Sequence, residues 1–536
     1  MRLTRRSFLG AAAAMAGAAC AAPVAPAPAV SPAAARRVER LVLSWWTDTG
    51  YPSPFTFSAI GPGGVVKVML MFDTLTWKDE RGIVPWLAER WAVEDGGTSY
   101  VFRLRPGVTF HDGRPLAARD VAFTFDYFAR FPYKWASTAV VASAEATDDR
   151  TVRVRLHRPF APFLEDIAGA VPILPEHVWS NVSDPLKFLE PRAVVGSGPY
   201  ELVSYAEGRG EYLFRARRSH FAGTPLVREL AYVLVPLAQS VIALQTRAVD
   251  ALQHFRNYDV VAAFGGGDPY RILTTQPFSI MRLIFNVDRQ PFTDRRVRHA
   301  VAYALNRRDI AERVTRAPDV VVGSAGVIPP ESPWHAKVKE YPFDPQRARR
   351  LLDEAGVVDR DGDGLRELPD GAKLTVELLA DPAADDAQLV MAQLRAVGLA
   401  SRLLVADPKT RTELQQKRAF QLALTSHIGV GGDPDFLRRW FAGEVFNVFE
   451  FGNALHSPEF DALAAAQSRE LDLAKRKELV ARMQQVLAEE LPTLPLYHRR
   501  AYHVYDPAKW DRWFNTAGGI MTGIPLLENK LAFLGR

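Results

Sequence analysis

Cysteine is almost missing from this chain: Cys20 is the single one in 536 residues. An intrachain disulfide is therefore excluded, as are multi-cysteine zinc and iron–sulfur sites. Long apolar runs are missing too. After residue 40 nothing approaches the roughly 20 uninterrupted apolar residues that a spanning helix needs. Charge of one sign is not in excess. Lys+Arg 66 against Asp+Glu 61 gives +5, and Arg2, Arg5 and Arg6 supply three of these, leaving about +2. Phosphate binding needs a concentrated basic surface, so nucleic acid is not expected as a partner. The motifs His-Glu-x-x-His, Gly-x-Ser-x-Gly and Gly-x-x-x-x-Gly-Lys are absent. Of 11 His, only His498 and His503 lie close together. No enzyme is expected, although two of the 61 acids converging for glycoside hydrolysis stays open.

What is present reads as an address followed by a globular body. Composition is 48% hydrophobic, 24% charged and 10% aromatic, ordinary for a globular protein. The length calls for several domains or one large multi-lobed unit. Residues 1–20 hold a basic start and a short Ala-rich apolar run, the pattern of an export signal. Thr4-Arg5-Arg6-Ser7-Phe8-Leu9 resembles the twin-arginine signal, which a receptor reads. Cys20 follows Gly17-Ala18-Ala19 and resembles a bacterial lipoprotein box, with Gly17 where an aliphatic residue is preferred. Lipidation at Cys20 and a place in the periplasm or on the outer face of the cell membrane are expected. Residues 21–39 are Ala/Pro-rich without hydrophobic period and read as a tether.

From residue 40 strand and helix patterns are mixed, which predicts an α/β protein. Residues 41–46 read as a buried strand, and residues 99–105 alternate with Tyr100, Phe102 and Leu104 on one face. Asp120 and Asp294 are expected to cap helices. Pro345 is expected to open another, stopped at Gly356. Residues 459–491 read as mostly helix-forming and amphipathic, ended by Pro492.

Residues 85–91 (Pro-Trp-Leu-Ala-Glu-Arg-Trp), then 95–97, 100–108 and 110–113, resemble the signature of the family 5 solute-binding proteins. These are the peptide-, nickel- and oligosaccharide-type receptors of ABC importers. Gly196-Ser197-Gly198-Pro199-Tyr200, residues 285–304, residues 341–356, Gly432-Asp433-Pro434-Asp435 and Pro458-Glu459-Phe460-Asp461 follow in family order. The resemblance implies a two-lobed, class II-like binding-protein fold of three domains with ligand in the cleft between the lobes. Expected boundaries are 40–70, 196–285 and 506–536 for the first domain, 71–195 for an insertion and 286–505 for the opposing lobe. It also implies a monomer that closes on a peptide-like or other polar solute and delivers it to ABC permease subunits. A binding protein feeding a sensor is the alternative.

In dipeptide receptors of this family an Asp shortly before Gly-Asp-Pro-Asp pairs with the peptide ammonium. Here that position is Val430, and the tryptophan three residues earlier is His427. Those receptors hold the carboxylate with an Arg after a second-lobe strand, where residues 380–386 contain none. Nickel receptors carry a His where Asp435 stands. Free dipeptides and nickel are both disfavoured by these departures, and Asp433 and Asp435 read as helix caps. The candidate ligand residues are Trp45, Trp46, Tyr51, His254, Phe255, Arg256, His427 and Val430. The tryptophans would stack on a planar group, one facing in and one out. Arg256 would meet an anion or stand as a plain surface arginine. His427 would donate a hydrogen bond or ligate a metal, against a plain core histidine.

One further pattern stands apart. Asp359, Asp361, Asp363, Glu367 and Asp370 fall at calcium-loop positions 1, 3, 5, 9 and 12, with Gly364 at 6 and the Leu365 carbonyl at 7. No cofactor is required by the resemblance. A plain Asp/Gly turn is the expectation here, with a structural calcium as the alternative.

Overall fold

A computed structural model describes residues 36–58, 61–255, 258–265, 269–381, 384–443, 455–520 and 523–534; for residues 253–255, 259, 260 and 408 only the backbone is described. Cys20 and the expected signal and tether, up to residue 35, lie outside the described residues.

Two large sheets organise the chain. The first has seven strands in the order Arg271–Thr274, Tyr502–Tyr505, Ala251–Phe255, Val38–Trp45, Val227–Leu234, Glu211–Ala216 and Tyr200–Ala206. The second has six: Val321–Val322, Thr493–Arg499, Ser279–Phe285, Leu422–Ile428, Thr375–Leu379 and Ala400–Leu404. A four-stranded antiparallel sheet is built from Ala88–Glu94, Ser99–Leu104, Thr151–Leu156 and Val141–Asp148. With the helices on these sheets, the α/β two-lobed class holds.

Local chemistry explains the elements. In Val38–Trp45, Leu41, Leu43 and Trp45 are all buried, the period of two of a strand. Tyr100, Phe102 and Leu104 are buried in Ser99–Leu104 as their alternation predicts. Asp294 caps Arg295–Ala304 by accepting from the Arg296 N–H. Asp344 caps Pro345–Glu354, and Gly356 follows at φ +77°, in the left-handed region.

One helix expectation is corrected and another is sharpened. Asp120 is not the cap residue. The helix is Ala118–Arg130, and the Asp120 carboxylate reaches back to accept from the Ala117 N–H at 2.9 Å. The stretch 459–491 is two helices, Pro458–Arg469 and Leu473–Glu490. Asp472 breaks it by accepting from the Lys475 N–H and starting a new helix.

Two expected boundaries also move. Ser279–Phe285, placed by the sequence with the first lobe, is a strand of the six-stranded sheet. Tyr502–Tyr505, placed with the opposing lobe, belongs to the seven-stranded sheet. The reason is that the chain crosses between sheets twice, side by side. The Thr275 N–H donates to the Ala501 carbonyl at 3.0 Å, and the Phe278 N–H to the Arg499 carbonyl at 3.1 Å. These paired crossings make a two-stranded connector between the lobes. No described helix is long and apolar enough to cross a membrane.

Candidate functional site

Beside this connector lies a cavity of about 230 Å³. One wall comes from the six-stranded sheet. Ser279 is the cross-strand partner of Arg499 on one side and of Ile428 on the other. Directly opposed residues project from the same face, so Arg499, Ser279 and Ile428 form one row, and all three line the cavity. Ser426, two residues before Ile428, joins the same face. The other wall comes from the ends of two parallel strands. Val38–Trp45 and Val227–Leu234 run in register, with Trp45 opposite Leu234. Their carboxyl ends therefore deliver Trp46 and Leu237 to one place, the usual position for ligands in open α/β sheets. Gly61, Pro62, Phe278, Arg500 and Ile524 complete the lining.

Trp46 is held from behind. Its ring stacks on Trp45 with centroids 4.7 Å apart, and Trp45 is only 2% exposed. The Trp45 ring lies against the start of helix Gly63–Met71, where a β-carbon at Gly63 would meet it at 2.1 Å. Lys67 of that helix is fully buried among aromatic faces. Its Nζ stands 5.2 Å from the Trp45 centroid and 4.6 Å from those of Tyr212 and Tyr232. Burial pushes the Lys67 pKa down to about 7, opposed by Glu528 and Asp48.

A second cavity, of about 180 Å³, shares Ile428 and Ile524 with the first. Trp135, from beside the four-stranded sheet, faces His427, Gly429, Phe436, Arg439 and Trp440 there. His427 packs edge-on to Trp440 at 4.6 Å, with Nδ1 2.5 Å from the Ile428 carbonyl. Burial, with Arg282 and Arg439 nearby, pushes its pKa down to about 3. It is a neutral histidine at physiological pH. Arg282 is buried with its guanidinium 4.1 Å above the Trp440 ring.

Behind these walls runs a polar network. Asp433 pairs with Arg476 through two hydrogen bonds of 2.7 Å. Asp435 accepts from Arg438 Nε at 2.7 Å and Nη2 at 2.6 Å, and from Gln467 at 2.7 Å. Asp433 also accepts from the Asp435 N–H at 2.8 Å and so caps the turn that leads into helix Phe436–Phe441, as expected. The Asp435 side chain makes no cap bond to that helix, which corrects the expectation there: Arg438 and Gln467 hold its carboxylate. Asp166, of the turn Phe163–Ile167, meets the same network. Burial and then the Asp433 charge push its carboxyl up to about 8, against the pull of Arg439.

The expected ligand residues divide. Trp46 lines the cavity, Trp45 supports it, and His427 lines the second cavity. Tyr51 is on neither wall; its hydroxyl donates to the Glu190 carbonyl at 3.1 Å and its ring meets Tyr205 edge-on. Val430 is also on neither wall. It is 1% exposed, packed with Ile280, Phe436 and Trp440 in an apolar cluster. Arg256 and the side chains of His254 and Phe255 lie outside the described residues. Arg499, Arg500, Ser279, Ser426, Trp135 and Arg439 were not anticipated. The Arg-Arg pair at 499–500 ends a strand two residues after Tyr497, and that position was its only sequence signal.

The acidic loop folds as spaced. Carboxylate oxygens of Asp359, Asp361, Asp363 and Glu367 lie within 4.8 Å of one another, without Asp370, which accepts from the Ala372 N–H. Leu365 donates its N–H to Asp363 at 2.8 Å. Lys373 Nζ sits among them, 2.5 Å from Asp361, 2.6 Å from Asp363 and 3.1 Å from Glu367. A lysine ammonium thus stands where a cation would.

Two lobes joined by paired crossings, with a cavity walled by both, define a cleft-type binding protein. Residues 82–447 match the family described as "Bacterial extracellular solute-binding proteins, family 5 Middle", and the chain belongs to that family. Members are binding proteins, not enzymes. It is 25% identical over 455 residues to the "Dipeptide-binding protein" of Escherichia coli, covering 80% of this chain and 82% of the relative. It is 27% identical over 475 residues to the "Heme-binding protein A" of Haemophilus influenzae, covering 80% and 81%. The crystal structure of NikA from Brucella suis in complex with Fe(III)-EDTA superimposes with a TM-score of 0.78 at 23% identity, over 91% of this chain and 99% of that one.

Proposed function

We propose that this protein is the solute-binding receptor of an ABC importer: it captures a small polar or peptide-like molecule in the cleft, closes, and presents the closed form to a permease. The observation that carries this reading is the cavity itself. Its walls come from both sheets and it abuts the two-stranded connector, so a bound solute contacts both lobes only when they are together. We read the four-stranded sheet as the core of the inserted domain and the six-stranded sheet as that of the opposing lobe. The N-terminal pattern supports export by the twin-arginine route and anchoring through lipid on Cys20. The relatives' names span dipeptide, heme and nickel, so membership alone names no ligand.

The test is a thermal-shift panel on the mature protein: di- to pentapeptides, oligosaccharides, opine-like conjugates and metal chelates. A solute at 100 times its dissociation constant adds about 2.7 kcal/mol of stability. A stabilising solute whose uptake is lost on deleting the gene supports the reading. A panel without any stabiliser, with uptake unchanged by deletion, refutes it.

A further inference from the structure

Resting on that reading, we propose that the solute carries a carboxylate on a planar apolar body and no ammonium, and that Arg499 is the residue that holds the carboxylate.

The charge around the two cavities argues for it. Their described lining residues include Arg499, Arg500 and Arg439, and no Asp or Glu. A cationic group brought into this cleft would lose water and meet only like charge, whereas an anion would be matched. Asp166 stands near Arg439 with burial favouring its neutral form, and the other nearby acids are paired elsewhere. Asp433, Asp435 and Glu165 are paired with Arg476, Arg438 and Lys78. Asp319 and Glu331 are both taken by Arg500, which also donates to the Thr275 carbonyl at 3.1 Å. Arg500 is thereby a structural cation of the connector.

Arg499 is different. Its Nη2 donates to the Tyr497 hydroxyl at 2.8 Å, and that hydroxyl donates onward to the buried Asp386 at 2.7 Å. This relay fixes the guanidinium in place over the Tyr497 ring, 5.2 Å from its centroid. Its Nε is buried and has no hydrogen-bond partner among the described residues. A buried N–H without an acceptor is costly, and a carboxylate in the cavity is the acceptor that suits a guanidinium best. Ser279, the cross-strand partner of Arg499, sets a hydroxyl on the same face. On the other wall stands Trp46, and Phe278, next to Ser279, also lines the cavity, so an anion held at Arg499 has aromatic rings available to its apolar body.

The experiment uses charge-paired probes of one shape: N-acetyl-phenylalanine against phenylalanine amide, and indole-3-propionate against tryptamine. Calorimetry and thermal shift are run on wild type, Arg499→Gln and Ser279→Ala. The carboxylates should bind wild type and their amine counterparts should not. Arg499→Gln should weaken carboxylate binding about tenfold or more, the usual scale for losing a charge-assisted hydrogen bond. Its urea midpoint without probe is the folding control, and Ser279→Ala, which keeps the guanidinium, should weaken binding less. The proposal is overturned if an amine binds better than its matched carboxylate, if neither carboxylate binds, or if a folded Arg499→Gln binds them as well as wild type. Failure of the receptor reading looks different: then nothing in the broad peptide, sugar and chelate panel stabilises the protein. If only this inference fails, that panel yields a cationic or neutral stabiliser.

Discussion

Replacing Arg476 by Met should break the opposing lobe more than any surface change can. Arg476 and Asp433 face each other with side chains only 7% and 8% exposed. Two hydrogen bonds of 2.7 Å join them, and Arg476 Nε also donates to the Gln467 carbonyl at 3.1 Å. Arg476→Met deletes all of these and leaves Asp433 charged, buried and beside Asp435 and Glu165. Removing one partner of a buried pair costs about 3–5 kcal/mol, a large part of the roughly 5–15 kcal/mol that holds a domain. Asp433→Asn should cost less, about 1–3 kcal/mol, because Arg476 keeps its Gln467 acceptors. The double variant should be no worse than Arg476→Met alone, giving a coupling at least as large as the Asp433→Asn cost, about 1–3 kcal/mol. Urea unfolding followed by near-ultraviolet circular dichroism measures this, since the Arg476 guanidinium lies 5.1 Å from the Trp334 ring. The pH dependence adds a second check. Burial already pushes the Asp433 carboxyl up, and only Arg476 pulls strongly against it. Without the arginine its folded pKa rises further above the unfolded value of 3.8. A carboxyl raised on folding loses stability as pH climbs from the unfolded toward the folded pKa. The deficit of Arg476→Met should therefore be larger at pH 8 than at pH 5. Single-variant costs that simply add, or a deficit equal at both pH values, would refute the argument that the charge left behind is what hurts.

Lys67→Met tests the buried ammonium under the tryptophan pair. With the folded pKa near 7 and the model-compound value at 10.5, the unfolded chain holds the proton that the folded chain has released between these limits. Stability contributed by this group then rises with pH from about 7 to 10.5, so the wild-type-minus-variant difference in unfolding free energy should climb over that window; a flat or falling difference contradicts it. The acidic loop offers a third check. Lys373, its charge stabilised by Asp361 and Asp363, should keep calcium out. Calorimetry should show no calcium binding by wild type up to several millimolar, and Lys373→Gln should bind with an affinity in the range of extracellular calcium modules, about 10⁻⁴–10⁻³ M. Equal binding by both proteins would mean that the lysine yields its place freely.

How far the sequence could be read follows from which interactions are local. The cap at Asp294, the helix start at Pro345, the alternation in Ser99–Leu104 and the helix stop at Gly356 are settled within a few residues, and all were legible. The order of weak motifs carried the family. What failed is what depends on partners far along the chain. Asp433 caps its turn as its neighbours suggest, but the arginine that pairs with it stands 43 residues away and could not be read from them. Val430 occupies the motif position of a ligand-binding aspartate, but a valine there has no reason to face a polar cleft. It turns into the cluster of Ile280, Phe436 and Trp440 instead. On the proposal that Arg499 holds an anion, the cleft is lined by guanidinium groups and by no carboxylate among the described residues, and that one-sided charge cannot be seen at Arg499 or Val430 alone. It becomes visible only when the register of Ser279–Phe285 against Thr493–Arg499 sets Arg499 beside Ser279, more than two hundred residues away in the chain.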